Sequence, residues 1–159
     1  MKQVNTLLFI LSVILIGCKN DKEVFISYSN PEIEYWGRID TSTGEGAELY
    51  WSGTSVKINF EGESILALLK DETGDNYYNV IIDNEKPVVL RPDTIKQYYQ
   101  LASELSEGEH SAVIFKRTEW DRGKTLFGGF KIEEKAKILP KSEPRKRKIE
   151  FYGNSITAA

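Results

Sequence analysis

Hydrophobic and polar residues alternate along several short segments of this chain. Val56, Ile58 and Phe60 are separated by the polar residues Lys57 and Asn59. Successive side chains of a strand point to opposite faces, so this pattern is typical of a strand with one buried face. Nine such segments predict strands: EYWGRI (34–39), AELYW (47–51), SVKINF (55–60), SILALLK (64–70), YYNVIID (77–83), KPVVL (86–90), KQYYQLA (96–102), SAVIFKR (111–117) and TLFGGFKI (125–132).

Turn-forming residues separate these segments, for example EGE at 61–63, ETGDN at 72–76 and SEGE at 106–109. No helix longer than a turn or two is predicted between them. Short strands at this spacing are typical of antiparallel sheets packed face to face. We therefore predict an all-β domain over residues 30–139, with a β-sandwich or jelly-roll fold.

The first residues resemble a secretion signal. A basic residue, Lys2, precedes an apolar run from Leu7 to Ile16, which is far shorter than the roughly 20 residues of a spanning helix. We interpret residues 1–17 as a signal peptide. The LIGC sequence that ends at Cys18 resembles the lipobox of bacterial lipoproteins, which predicts an acylated Cys18, a polar tether over 18–29 and a membrane-anchored protein of the cell envelope. The alternative is an uncleaved anchor with a buried cysteine.

Composition limits the classes of partner. The chain has 159 residues, of which 40% are hydrophobic, and its net charge is -3. This balance favours a packed domain and gives no sign of nucleic-acid binding. No spacing of Cys, His or carboxylate residues suggests a metal site, and no glycine-rich phosphate loop is present, so neither a metal nor another cofactor is predicted. With one cysteine, an internal disulfide is excluded.

The composition changes near the carboxyl end. Residues 140–148 contain two prolines and a Lys/Arg run without apolar periodicity, which is typical of an interdomain linker. The basic run could instead form a patch for a polyanion. A strand-like stretch, Ile149–Tyr152, then leads through Gly153 and Asn154 to Ser155, and four more residues suit a first helical turn. A strand, a tight turn and a serine at a helix start can hold an exposed nucleophile.

Two other residues, His110 and Trp120, are candidates for a functional role. His110, the only histidine, follows a turn and is interpreted as a structural residue at the edge of a strand. Trp120 lies in the polar segment KRTEWDRGK between two strong strands, where an aromatic ring has little core to join. Trp120 is therefore predicted to contact a ligand or a neighbouring domain, whereas the other aromatic residues are expected mainly in the core.

These residues resemble a known family. IEFYGNSIT is similar to the first conserved block of the SGNH (GDSL-like) hydrolases. LSEGEHSAVIFKRTE and FGGFKIE, placed before a basic linker, resemble the N-terminal jelly-roll domain of family 2 carbohydrate esterases. The resemblance implies an acetyl-ester hydrolase that acts on acetylated plant polysaccharides such as xylan or mannan. It also implies that Ser155 is the nucleophile, with Gly153 and Asn154 in the motif around the oxyanion hole.

The resemblance also predicts a truncated catalytic domain. In the family a later glycine, a later asparagine and a C-terminal histidine supply the other oxyanion donors and the base, and none has a counterpart here. Asn154 also stands where the family usually has aspartate. Residues 149–159 are thus interpreted as the start of an α/β SGNH domain, and the fragment is expected to be inactive. The alternative is a non-catalytic lipoprotein β-sandwich that binds glycan or protein.

The interpretation of Cys18 predicts the behaviour of a variant. Cys18→Ser should move the mature protein from the membrane fraction to the soluble fraction, because three acyl chains at about 0.8 kcal/mol per buried CH₂ supply the anchor. Fractionation and immunoblotting measure this change, with Lys19→Ser as a matched control that should stay with membranes. Membrane retention of Cys18→Ser would contradict the interpretation.

Overall fold

Two antiparallel six-stranded sheets make up the domain. The computed structural model describes residues 22–143 and Gly153. Its strands are β1 (Glu23–Ser27), β2 (Glu34–Trp36), β3 (Ile39–Asp40), β4 (Ala47–Leu49), β5 (Ser55–Glu61), β6 (Ile65–Asp71), β7 (Tyr78–Ile82), β8 (Val88–Leu90), β9 (Gln97–Ala102), β10 (Glu109–Lys116), β11 (Thr125–Glu133) and β12 (Lys137–Leu139). A 3-10 turn covers Trp120–Arg122. The predicted all-β sandwich is confirmed.

The two sheets differ in strand order. Sheet A has the order β3-β4-β11-β6-β9, and β1 also pairs with β11. Sheet B has the order β12-β5-β10-β7-β8, and β2 also pairs with β5. One edge of β5 is therefore shared, because β2 pairs with its first half and β12 with its second half.

The core lies between the sheets and follows the predicted alternation. Val56, Ile58 and Phe60 of β5 are buried. Phe127 and Phe130 of β11 belong to the same core on the side of sheet A. These two rings pack edge-to-face, and their centroids lie 4.8 Å from each other. Burying such aliphatic and aromatic side chains contributes about 1.5 to 3 kcal/mol for each one. The one-sided burial of the strands thus holds the sandwich together.

The segment EYWGRI forms two short strands instead of the single predicted strand. β2 belongs to sheet B and β3 to sheet A, so the chain changes sheet between Trp36 and Ile39. Gly37 makes the change with a positive φ of 88°, a conformation that glycine adopts without a steric penalty. The alternation alone does not reveal this bend.

The predicted tether over 18–29 is too long, because β1 occupies Glu23–Ser27 within it. β1 pairs with the second half of β11, after a bulge between Phe127 and Gly129. Gly129 has a φ of 143°, and a Cβ there would collide with the carbonyl of Ile26. The glycine pair of TLFGGFKI thus lets β1 approach β11 closely.

The first residues of the predicted linker lie against the sandwich. The backbone N–H of Lys141 donates to Glu32 at 2.9 Å, and that of Ser142 donates to Glu34 at 2.9 Å. Residues 144–148 of the predicted linker are outside the part that the structure describes. The chain therefore leaves the described domain on the side of β2 and β5.

His110 has a structural role, as the sequence indicated. Its Nδ1 lies 2.6 Å from a carboxylate oxygen of Asp83, and its Nε2 lies 2.8 Å from the carbonyl oxygen of Ser106. Two acceptors face the two ring nitrogens, so the imidazolium satisfies both. The carbonyl of Ser106 and then the carboxylate of Asp83 raise the pKa of His110 above its ordinary value. Burial opposes ionisation of Asp83, but hydrogen bonds from His110 and Ser111 outweigh it and lower the pKa of Asp83.

This contact predicts a pH dependence of stability. The raised pKa of His110 means that its stabilising contribution is complete below the unfolded-state value of 6.5 and is lost as pH rises through the folded-state pKa. The free energy of unfolding should therefore fall as the pH rises above about 6.5, and His110→Gln should remove most of that slope. Urea denaturation across this range measures it. An equal slope in both proteins would contradict the assignment.

Candidate functional site

Two tryptophans project from neighbouring loops at one end of the sandwich. Trp120, in the 3-10 turn, is 60% exposed, and Trp51, in the loop between β4 and β5, is 44% exposed. Their ring centroids lie 6.5 Å apart at an interplanar angle of 44°. The guanidinium of Arg38 lies 5.9 Å from the Trp51 ring centroid, within cation–π range. We call Arg38, Trp51 and Trp120 the aromatic corner.

A buried lysine holds the two loops in place. The Lys116 side chain, the last of β10, is 0% exposed. Its ammonium donates to the carbonyl of Tyr50 at 2.8 Å, next to Trp51. It also donates to three carbonyls of the other loop: Thr118 at 3.2 Å, Glu119 at 3.3 Å and Gly123 at 3.5 Å. One charge thus joins the loops that carry the aromatic corner.

The surroundings of Lys116 disfavour its charge. Burial lowers its pKa below the ordinary lysine value, and the nearby carboxylates of Asp71, Glu119 and Asp121 offset part of this effect. A buried ammonium needs acceptors that replace the water it has lost. The four backbone carbonyls are those acceptors, so loop geometry and charge solvation depend on each other.

A second polar cluster fixes the Trp120 loop from the other side. The Asp71 carboxylate accepts hydrogen bonds from the Asn76 amide at 2.9 Å and from the Thr125 hydroxyl. The same Asn76 amide donates to the carbonyl of Arg122 at 3.0 Å. The hydroxyl of Thr118 donates to the Asn76 side-chain carbonyl at 2.6 Å. Buried and fully bonded networks of this type rigidify the elements they connect.

This geometry leaves much of both tryptophan rings exposed while the backbone below them is fixed. Ser52 adds a further bond between the loops, since its hydroxyl donates to the Glu119 carboxylate at 3.2 Å. Exposed tryptophans on a rigid support suit recognition, because little conformational freedom is lost when a partner packs on them. The corner can therefore contact a sugar ring or an apolar protein surface.

Comparison with known proteins places the chain in a family. The profile described as "Carbohydrate esterase 2 N-terminal" matches residues 35–141. The chain belongs to this family. Its match includes β2 to β12 and both loops of the aromatic corner.

The named relatives are esterases and are much longer. A cellulase/esterase of Acetivibrio thermocellus is 38% identical over 130 residues, which is 82% of this chain and 16% of that protein. An acetylxylan esterase / glucomannan deacetylase of Cellvibrio japonicus is 26% identical over 151 residues, which is 92% of this chain and 42% of that protein. The chain therefore spans less than half of the length of either relative.

Solved structures agree in fold. A family two carbohydrate esterase from Clostridium thermocellum, in complex with cellohexaose, has a TM-score of 0.67 and 37% identity, with 79% of this chain and 38% of that chain covered. The Cellvibrio japonicus family two esterase has a TM-score of 0.74 at 24% identity, over 80% of this chain and 38% of that chain. This carbohydrate esterase 2 N-terminal domain thus shares its sandwich with structurally known esterases.

The predicted catalytic residues are not brought together by the described part of the chain. Cys18, Asn154 and Ser155 lie outside the described residues, and Gly153 is exposed. Trp120 is exposed, as its polar loop indicated, and its contact with a ligand or a neighbouring domain stays a prediction. Sequence reasoning missed the corner's other members, Arg38 and Trp51. Trp51 ends the run AELYW, and the Ser-Gly turn after it was the available signal that it leaves the sheet.

Among residues 22–143, no three His, Cys, Asp or Glu side chains are grouped so that they could bind a metal ion. None of the helical structure in that range is long and apolar enough to cross a membrane.

The role of Lys116 predicts a loss of stability. Lys116→Met keeps the apolar stem but removes the donor that four partly buried backbone carbonyls share, so the free energy of unfolding should fall by about 3 kcal/mol. Lys137→Met is a matched control, because that ammonium is exposed and pairs with Glu61 at the surface; its effect should stay below about 0.5 kcal/mol. Urea denaturation measures both. Equal stability of the Lys116→Met and wild-type proteins would contradict the assigned role.

Proposed function

We propose that this chain is the N-terminal part of an esterase that removes acetyl groups from plant polysaccharides of the xylan or mannan type. The observation that carries the proposal is the order of two features in one chain. A carbohydrate esterase 2 N-terminal domain ends at residue 141, and the Gly153-Asn154-Ser155 block follows it after a short basic segment. Ser155 is the proposed nucleophile for the acetyl carbonyl.

The chemistry needs groups that the described domain does not supply. Attack by Ser155 requires a base to remove the hydroxyl proton and donors to stabilise the oxyanion. His110 does not suit this role, because Asp83 and the carbonyl of Ser106 occupy its two ring nitrogens. We therefore assign the base to polypeptide beyond residue 159 and expect the 159-residue chain to be inactive.

The proposed substrate class rests on the relatives. The Cellvibrio japonicus relative is named an acetylxylan esterase and glucomannan deacetylase, and the Clostridium thermocellum esterase was solved with cellohexaose. These names support an acetylated β-linked polysaccharide or oligosaccharide as the partner of this protein. Acylation of Cys18 would hold the enzyme at the bacterial cell envelope, in the periplasm or at the cell surface, where such polymers or their fragments are met.

The aromatic corner favours a second candidate function. A non-catalytic lipoprotein that binds glycan would use Trp51 and Trp120, which are exposed on a rigid support. Titration of the 159-residue chain with xylan and mannan oligosaccharides, followed by tryptophan fluorescence, separates the candidates. Saturable binding that is lost in Trp120→Ala, together with no esterase activity of the extended polypeptide, favours the binding protein, whereas esterase activity of the extended polypeptide favours the enzyme.

The proposal predicts the activity of three proteins. The 159-residue chain should not hydrolyse acetylated xylan or 4-nitrophenyl acetate above background, because general-base catalysis contributes about 10² to 10⁴-fold and an oxyanion donor about 10² to 10³-fold. The polypeptide extended to the length of its relatives should hydrolyse both. Ser155→Ala in that polypeptide should lower kcat by about 10³-fold or more.

Ser142→Ala is the matched control for this experiment. Ser142 is an exposed serine near the same basic segment, and its hydroxyl contacts Lys57 instead of a reacting group. Its removal should leave kcat unchanged. Full activity of Ser155→Ala, or loss of activity in both variants, would contradict the assignment of the nucleophile.

A further inference from the structure

Three exposed apolar side chains, separated by Ser55 and Asn79, lie in a row across the outer face of sheet B. The strand registers place Trp36 of β2 beside Ser55, Ser55 beside Phe115, Phe115 beside Asn79, and Asn79 beside Val89. The neighbours of Trp36 and Phe115 along each strand, Tyr35 and Ile114, point to the core. Trp36 is 50% exposed, and Phe115 and Val89 are exposed as well. We call Trp36, Phe115 and Val89 the outer row.

The outer row continues toward the aromatic corner. β5 begins at Ser55, just after the loop of Trp51, and β10 ends at Lys116, just before the loop of Trp120. The row and the corner therefore lie at the same end of sheet B. Trp, Tyr, Phe and Arg side chains are enriched in protein interfaces, so exposed aromatic side chains grouped at one end of a sheet favour an interaction site there.

The chain leaves the domain over this face. After β12, the carbonyl of Pro140 accepts a hydrogen bond from Asn59 at 3.1 Å. Two residues later, the hydroxyl of Ser142 accepts one from Lys57 at 2.7 Å, and its N–H donates to Glu34. Lys57 and Asn59 point outward from β5, since Ile58 between them is buried.

The direction of this exit is toward the outer row. The contacts of the chain pass from Asn59 to Lys57, and the next position on the same face of β5 is Ser55, which is buried and lies in the row between Trp36 and Phe115. Residues two apart in a strand are separated by about 7 Å. Ser142, near the end of the described residues, therefore lies about one step from the outer row.

We propose that the outer row is the docking surface for the domain that follows residue 143 in the same polypeptide. This proposal rests on the proposed hydrolase domain. The short connection keeps that domain at a high effective concentration next to the row. Docking covers Trp36 and Phe115 and places the aromatic corner beside the second domain.

The outer face of sheet A is a weaker surface for this contact. Phe25 of β1 is 49% exposed there, but the neighbouring Lys131 ammonium lies 4.1 Å from the Tyr98 ring centroid and pairs with Glu23 at 2.6 Å. A charged pair would have to lose water when that face is covered. The chain leaves the domain over sheet B and not over sheet A. Phe25, an exposed aromatic residue on sheet A, is therefore a matched control for Trp36.

Hydroxyl-radical footprinting tests the docking. The full-length polypeptide and the 159-residue chain are oxidised in parallel, and modification is quantified by mass spectrometry at each aromatic side chain. In the full-length protein, oxidation of Trp36 and Phe115 should fall by about fivefold, because the centre of an interface excludes water. Oxidation of Phe25 should be unchanged. Equal oxidation of Trp36 in both proteins, or protection of Phe25 instead, would overturn the proposal.

A variant gives an independent measurement. Trp36→Ser combined with Phe115→Ser should increase tryptic cleavage within residues 144–148 of the full-length protein by about tenfold, because a bound neighbour shields that segment. Phe25→Ser should cleave at the wild-type rate. Equal cleavage of the double variant and wild type would also overturn the docking.

Esterase assays on the same preparations separate the two proposals. Activity without protection of Trp36 leaves the proposed function standing and removes the docking surface. Protection without activity keeps the docking surface and removes the proposed function.

Discussion

The buried ammonium of Lys116 is the interaction on which the functional end of this domain depends. A charge without water must be compensated, and here four backbone carbonyls of two separate loops do so. The bonds formed by one side chain therefore determine the relative position of the loops that carry Trp51 and Trp120. The carboxylate of Asp71 and the amide of Asn76 hold the second loop from its other side.

In this arrangement the loop backbone is fixed, whereas the tryptophan side chains are exposed. The backbone of both loops is bonded to buried groups, whereas the indole rings project into solvent. Trp36 and Phe115 extend the exposed apolar surface along sheet B, and the chain leaves the domain beside them. The carbohydrate esterase 2 N-terminal domain thus combines a packed sandwich with exposed aromatic side chains at one end.

β5, β6, β7 and β10 could be predicted because each has one buried face. The alternation at Val56, Ile58 and Phe60 reports directly which side chains enter the core. β1 and β12 were missed for a physical reason: both are edge strands whose partners lie far away in the sequence. Register and bulges depend on such distant partners, so the close approach at Gly129 was not predictable from a local pattern.

The candidate site was only partly predictable. Trp120 was found because its loop is polar, but Trp51 was assigned to a strand-like run. Lys116 follows Ile114 by two residues, so strict alternation places its side chain on the core face. Its partners are backbone carbonyls, which carry no sequence signal, and this is why a buried lysine could not be distinguished from an exposed strand end.

Nuclear magnetic resonance of the lysine ammonium groups tests the central claim most directly. In protein labelled with ¹⁵N-lysine at about pH 6, exposed ammonium protons exchange with water too fast for detection, whereas a buried ammonium bonded to carbonyls is protected. We predict one slowly exchanging ammonium signal that disappears in Lys116→Met and persists in Lys137→Met. Absence of a protected signal, or its survival in Lys116→Met, would contradict the account.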